Sequence, residues 1–241
     1  REKGGGENIK KKMAMRLPDM KSVQKGTSKD DAADKWSKLV TALDTIFSQS
    51  ASTLSFQFLY QVCFGMVQHG HRDFASQRLA EWTDQRCHTQ LRRIAASTAE
   101  GATSLQHLTA FDREYQLHRL TTKCTLDVLS PLDRALVELK RQSIGMSATN
   151  IFASRVVDPM ADKLRAALVE ALHLERVEGQ PAPALLLSSL TAALSDCDRS
   201  RIGGVSLYAK VIEEPVVAAV RAHYARASDE CFETQTTPAF V

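Results

Sequence analysis

The stretch LSFQFLYQVCFGMVQHGH, residues 54–71, holds more large apolar side chains than a single buried helical stripe can use. Wound at about 100° per residue from Phe56, it places Val62, Met66, Leu59 and Cys63 between roughly 240° and 340°. On the same wheel Phe56, Val67, Tyr60 and Phe64 fall between about 0° and 80°, and Phe58 stands apart near about 200°. The apolar arc is then about 200° wide, where an ordinary surface helix needs somewhat more than about 100°. Two readings fit so wide an arc: the helix is central and buried on both sides, or one face belongs to a core and the second meets a partner. Ser55 is placed to cap its start.

The rest of the chain supports helix as the surrounding structure. Its 241 residues suffice for one large domain or two small ones. With 44% hydrophobic and 24% charged residues it reads as a globular protein. No proline lies between Pro18 and Pro131, a gap that a turn-rich β protein would hardly manage. No run of apolar residues is long enough to span a bilayer, so no membrane partner is expected. The opening REKGGGENIKKKMAMRLPDM lacks the apolar centre of a signal peptide. Five cysteines, at positions 63, 87, 124, 197 and 231, form no CxxC pair. An odd number of scattered thiols fits the reducing cytoplasm or nucleus. The net charge of +3 is too small to imply a nucleic-acid partner.

Along the chain, residues 1–30 are polar and rich in Gly and Lys, and read as a flexible basic extension. In AADKWSKLVTALDTIFSQS, Trp36, Leu39, Val40, Leu43, Ile46 and Phe47 recur at helical spacing. After the 54–71 helix, a third is expected from about Asp73 to Ala96, then a loop around Gly101. A long helix is expected from about 106 to 142, kinked or divided by Pro131. Asp158-Pro159 reads as a cap followed by the first helical residue, Gly179 as a stop, and Pro183 and Pro215 as further starts. The sum is nine or ten helices without a strand, in two successive units, 31–143 and 144–233, and a short tail at 234–241.

Nothing in this pattern assembles a catalytic site. His69 and His71 point to different faces of a helix and have no further ligands near them in sequence, so no metal and no cofactor are expected. Gly4-Gly5-Gly6 lacks the GK[ST] of a phosphate loop. Asp196-Cys197-Asp198 sits at a helix end, where capping accounts for it, and the arginines of RCHTQLRR form a solvated face. The chain reads as a non-enzyme.

The order of landmarks resembles the cullins, the scaffolds of multi-subunit ubiquitin ligases. The pattern W-x-x-L-x-x-A-L-x-x-I-F from Trp36 to Phe47 is similar to the first helix of that family, and residues 54–71 are similar to the second. YQLHRLTTKCTLDVLSPLDR, from Tyr115 to Arg134, resembles its fifth, with the Leu-Asp-Arg end at matching distance. IFASRVVDPMADKLRAALVEALHLER and SLYAKVIEEPVVAAVRAHYARAS are similar to segments of the second repeat. Each motif is weak alone; five in order, over about residues 33–233, are specific.

The resemblance implies an elongated, all-α helical repeat of tandem five-helix units, and a non-catalytic scaffold domain of a ubiquitin ligase. Within the family the 54–71 stretch is nearest the paralogue that binds BTB-domain adaptors, which also has a basic N-terminal extension. The implied partner is therefore a BTB-type adaptor, with a Skp1-like adaptor as the related option. The RING subunit would bind only a C-terminal region outside this sequence. The implied docking residues are Leu54, Phe56, Gln57, Tyr60 and Phe64, with Pro131 at the corresponding place on the fifth helix. Leu59, Cys63, Met66 and Val67 are placed for the core. Several positions depart from the paralogue: Gln57 stands where an acidic residue is common, Phe58, Val62 and Phe64 are more apolar than the resemblance implies, and Pro131 stands where a contacting Tyr is found. The competing reading is a helical tethering protein unrelated to ubiquitination.

Overall fold

The computed structural model describes residues 29–98, 101–178, 183–201 and 203–234, so the N-terminal extension, but for its last two residues, and nearly all of the C-terminal tail lie outside it. Among the described residues every regular element is helical: α1 (Lys29–Phe47), a short 3₁₀ turn (Ala51–Thr53), α2 (Phe56–Gln68), α3 (Arg72–Ser97), α4 (Ser104–Val128), α5 (Ser130–Glu138), α6 (Ile144–Phe152), α7 (Asp158–Glu178), α8 (Ala184–Ser200) and α9 (Glu214–Thr234). Single π turns, Ala153–Val157 and Ala209–Glu213, lead into α7 and α9.

The periodic residues of the sequence meet in two apolar cores. Leu39, Leu43 and Ile46 of α1, Leu59 and Met66 of α2, Leu79 and Trp82 of α3, Val128 of α4 and Leu132 of α5 close the first. Ile94, Phe111, Tyr115, Phe152, Val156, Leu164, Leu190 and Leu194 close the second. Helices α3 and α4 contribute to both. Helix α4 is set at its start by a capping box, in which Thr103 accepts from Gln106 N–H and the Gln106 side chain accepts from Thr103 N–H. Its Tyr115 hydroxyl donates to Asp196 of α8 at 2.7 Å, and Gln90 of α3 donates to the Glu114 carbonyl at 2.8 Å.

The prolines act in two ways. Pro131 divides the long helix as its sequence suggests: α4 ends at Val128, and Pro131 lies in the first turn of α5, where its missing N–H is not needed. Asp158-Pro159 and Glu214-Pro215 differ from the sequence expectation of fresh helix starts. Asp158 (φ −56°, ψ −49°) and Glu214 (φ −59°, ψ −48°) are themselves helical, so neither is a cap. The chain stays helical because the turn before each proline is widened: Asp158 N–H bonds the Ala153 carbonyl and Glu214 N–H the Ala209 carbonyl, each five residues back. A π turn takes up the register that a proline cannot continue.

Two aspartates fasten the helices that lead to these π turns. Asp133 of α5 accepts from the Ile144 N–H at 2.7 Å, and Asp198 of α8 accepts from the Leu207 and Tyr208 N–H groups at 2.7 and 3.1 Å. Each satisfies orphan donors at the start of a following helix, Asp133 from the first turn of α5 and Asp198 from the last turn of α8.

Helices α1, α2 and α5 end in the same left-handed motif. At α2, His71 N–H bonds the Met66 carbonyl at 2.9 Å around Gly70 (φ 79°). At α1 and α5 the left-handed residues are Gln49 (φ 62°) and Lys140 (φ 55°), conformations that favour glycine. Gln49→Gly and Lys140→Gly are each expected to raise stability by roughly 1 kcal/mol, read as an upward shift of the denaturation midpoint; a drop would show that those side chains contribute more than the strain removes.

His118 supplies a pH test of the same core. Its ring stacks on Phe152 with centroids 4.4 Å apart, and burial pushes its pKa down to about 4. The unfolded chain binds this proton more readily than the folded one, so the stability held above the unfolded value near 6.5 is lost as pH falls towards about 4. The loss across that window is on the order of 3 kcal/mol. His118→Asn is expected to flatten the stability–pH curve between pH values of about 6.5 and 4. An unchanged slope in denaturant titrations would show that other groups govern acid unfolding.

Candidate protein-interaction surface

Helix α2 is held at both ends by its own sequence. The Ser55 hydroxyl accepts from Phe58 N–H at 3.4 Å, and the Gly70 motif closes the C-terminus. Its inner side buries Leu59, Cys63, Gly65 and Met66, with Leu54, Val62 and Val67 packed partly against the same core. A strap to α1 lies beside it: Lys35 pairs with Asp31 at 2.6 Å and meets His69 Nδ1 at 3.2 Å. The Lys35 bond holds the Asp31 carboxyl below its ordinary value. Burial pushes the Cys63 thiol up to about 11, which leaves it an inert core residue.

The second apolar face of α2 points outward. Phe56 is 39% exposed, Phe58 51%, Tyr60 38% and Phe64 44%. Tyr60 and Phe64, one turn apart, stack nearly parallel (8° between planes, centroids 6.4 Å apart). Such a cluster on one helix is the kind of exposed apolar surface that marks an interaction site. Gln57 is exposed on the same side, and Leu54 is half-buried.

Pro131 is buried in the first turn of α5, so the expectation that it forms part of an outer contact surface is corrected: its ring packs inward and serves to start α5. Sequence reasoning also left Phe58 out, although its isolated place on the helical wheel was the available signal. Val137 of α5 and Leu139 just after it, exposed by 52% and 46%, were missed as well; α5 is too short for its periodicity to separate inside from outside. Among the described residues no group of three His, Cys, Asp or Glu side chains converges as a metal site would, and no helix is long and apolar enough to cross a membrane.

The architecture is that of a helical solenoid with an exposed aromatic ridge on its second helix. The profile of the cullin α-solenoid domain matches residues 36–241, and the chain belongs to the cullin family. It is 24% identical over 209 residues to Cullin-3 of Dictyostelium discoideum, an alignment covering 86% of this chain and 26% of that protein. It is 26% identical over 208 residues to Cullin-3A of Arabidopsis thaliana, covering 84% and 26% respectively. The chain thus spans about a quarter of the length of these relatives.

The geometry of α2 separates core from ridge by mutation. Leu59→Ala is expected to destabilise the fold by roughly 2–5 kcal/mol. Tyr60→Ala and Phe64→Ala, exposed, are expected to shift stability by less than about 1 kcal/mol. Thermal or denaturant midpoints measure the contrast; unfolding by both ridge variants would show that the ridge packs inside.

Proposed function

We propose that this chain is the adaptor-docking domain of a cullin scaffold, holding a BTB-type substrate adaptor on the outer face of α2 for a ubiquitin ligase whose catalysis belongs to partner subunits. The observation that carries the reading is the row of Phe56, Tyr60 and Phe64, exposed on a helix whose opposite side is locked into the first core. Leu54 and Gln57 flank the row and complete the docking set. Membership of the cullin family supplies the scaffold role, and the likeness to Cullin-3 proteins favours the BTB class over a Skp1-like one. A RING subunit would engage parts of the polypeptide outside this stretch. The five free thiols fit work in the cytoplasm and nucleus.

The test is calorimetric titration of the chain with purified BTB-domain adaptors and, in parallel, with a Skp1-like adaptor. Saturable binding to a BTB protein is expected, and Tyr60→Ala and Phe64→Ala should each weaken it by about 2 kcal/mol, roughly thirtyfold. Binding to the Skp1-like protein alone would reassign the adaptor class. Full-strength binding by both variants would move the docking site away from α2.

A further inference from the structure

Resting on the docking reading, we infer that α2 is gripped from both sides by a concave, uncharged surface of the adaptor, with Phe58 as an anchor on the side opposite Tyr60 and Phe64. The helix sequence FQFLYQVCFGMVQ contains no charged residue over its thirteen positions. Winding at about 100° per residue orders its outer face: Phe56, Tyr60 and Phe64 at about 0–80°, Gln57, Gln68 and Gln61 at about 100–140°, and Phe58 at about 200°. The three glutamines are all exposed. The outer face is thus a strip of neutral amides with aromatic shoulders on both sides.

This arrangement selects a shape. Phe58 and Tyr60 lie about 160° apart around the axis, so a flat partner reaches one shoulder and leaves the other in water. A groove that receives the helix reaches both, the way amphipathic helices are read by grooves through anchors a turn apart. Helix α2 can offer both shoulders along its first turns: its inner stripe is committed to the core, and further along Gly65, at about 180° on the same wheel, is buried beside the Lys35 side chain of α1.

It also selects a chemistry. Amides donate and accept, so the strip pairs with neutral polar groups of either kind. A carboxylate or ammonium buried against α2 finds no counter-charge there and is rejected by its desolvation. The packed neighbours do not change this. In α1, Lys35 is paired with Asp31 and Lys38 with Asp34, and Asp44 binds Arg86. In α3, Asp73 is paired with Arg141, while Arg72 stands at the helix start. The exposed charges of α5 are Arg134 and Glu138, one of each sign, and α4 ends with Lys123 and Asp127, likewise balanced. The docking face therefore lacks a field to steer a charged partner.

The experiment measures affinity for a panel of purified BTB-domain adaptors, with unfolding midpoints taken for every variant. Phe58→Ala is expected to weaken binding at least about tenfold, as Tyr60→Ala does, with an unchanged midpoint. Gln61→Glu, exposed and helix-compatible, is expected to weaken it by a similar factor through the introduced charge. Raising salt from about 0.05 to 0.5 M should alter the wild-type affinity by less than about threefold. Undiminished binding by Phe58→Ala or Gln61→Glu, or a steep salt dependence, would overturn this inference while leaving the Tyr60 and Phe64 docking face intact. Failure of the unmutated chain to bind any BTB adaptor would overturn the docking reading itself, and this inference with it.

Discussion

The hydrogen bond between the Tyr115 hydroxyl and Asp196 marks the constraint on which the fold depends: α4 is buried along much of its circumference and is tied by polar side chains to the helices around it. Leu108, Phe111 and Tyr115 face the second core, while Leu117 and Val128 face the first. A helix used this way cannot have one polar side. It is joined to α8 by Tyr115, to α3 by the Gln90 bond, and to α7 by a hydrogen bond from Ser104 to Glu170. Glu114, almost fully buried, has Arg113 and Arg93 beside its carboxylate at 3.3 and 3.8 Å. An unpaired charge there would be strongly destabilising, so Arg93 of the RCHTQLRR segment does more than solvate a surface. Arg86 and Arg93 also lie over the Phe47 ring of α1, which ties the first core to the same helix pair.

Carboxylates also govern how the helices after α5 and after α8 begin. Asp133-Arg134 lies in the first turn of α5 and Asp198-Arg199 in the last turn of α8, and each aspartate reaches across a connection to N–H groups at the start of the following helix. Each of those helices then passes through a π turn into an acidic residue and a proline. The acidic residue of the first case, Asp158, pairs with Arg201, which follows α8 and so binds the two junctions to each other. The repetition is one of physical devices more than of residues: a carboxylate cap, a widened turn, a proline. It explains why self-similarity between the halves is faint in the letters of the sequence.

Much of the architecture was legible because helix formation and burial leave a period in the sequence. Leu39, Leu43 and Ile46 announce α1, and all three are buried. Ser55 announces the start of α2, and Pro131 the break between α4 and α5. What misled was proline in Asp158-Pro159 and Glu214-Pro215. Local rules make such a pair a start, and only tertiary packing on both sides, with Val156, Val157 and Val211 fully buried, favours a continuous helix over a break. Pro131 was misplaced as a surface residue for the opposite reason. Its position in the chain was right, but which way a first-turn residue faces is set by the axis of α5, and nine residues are too few to show that axis in a pattern. The two apolar faces of α2 were legible from the wheel alone; that the outer one includes Phe58 needed the burial of its neighbours.

The ridge can stay apolar and exposed because the first core already holds α2 in place. Leu59, Cys63 and Met66 are almost wholly buried, and the Ser55 cap and Gly70 motif satisfy the backbone at both ends, so the helix does not depend on a partner to fold. That independence matters for binding. Side chains that must be ordered on association weaken it by about 0.5–1.5 kcal/mol each. Aromatic rings have two rotatable bonds, and the stacked Tyr60–Phe64 pair limits each other's rotamers before any partner arrives. Fixing the inner stripe in the core thus pre-orders the outer one, and the width of the apolar arc that first set residues 54–71 apart is the consequence: a single helix serving one surface inside the molecule and another outside it.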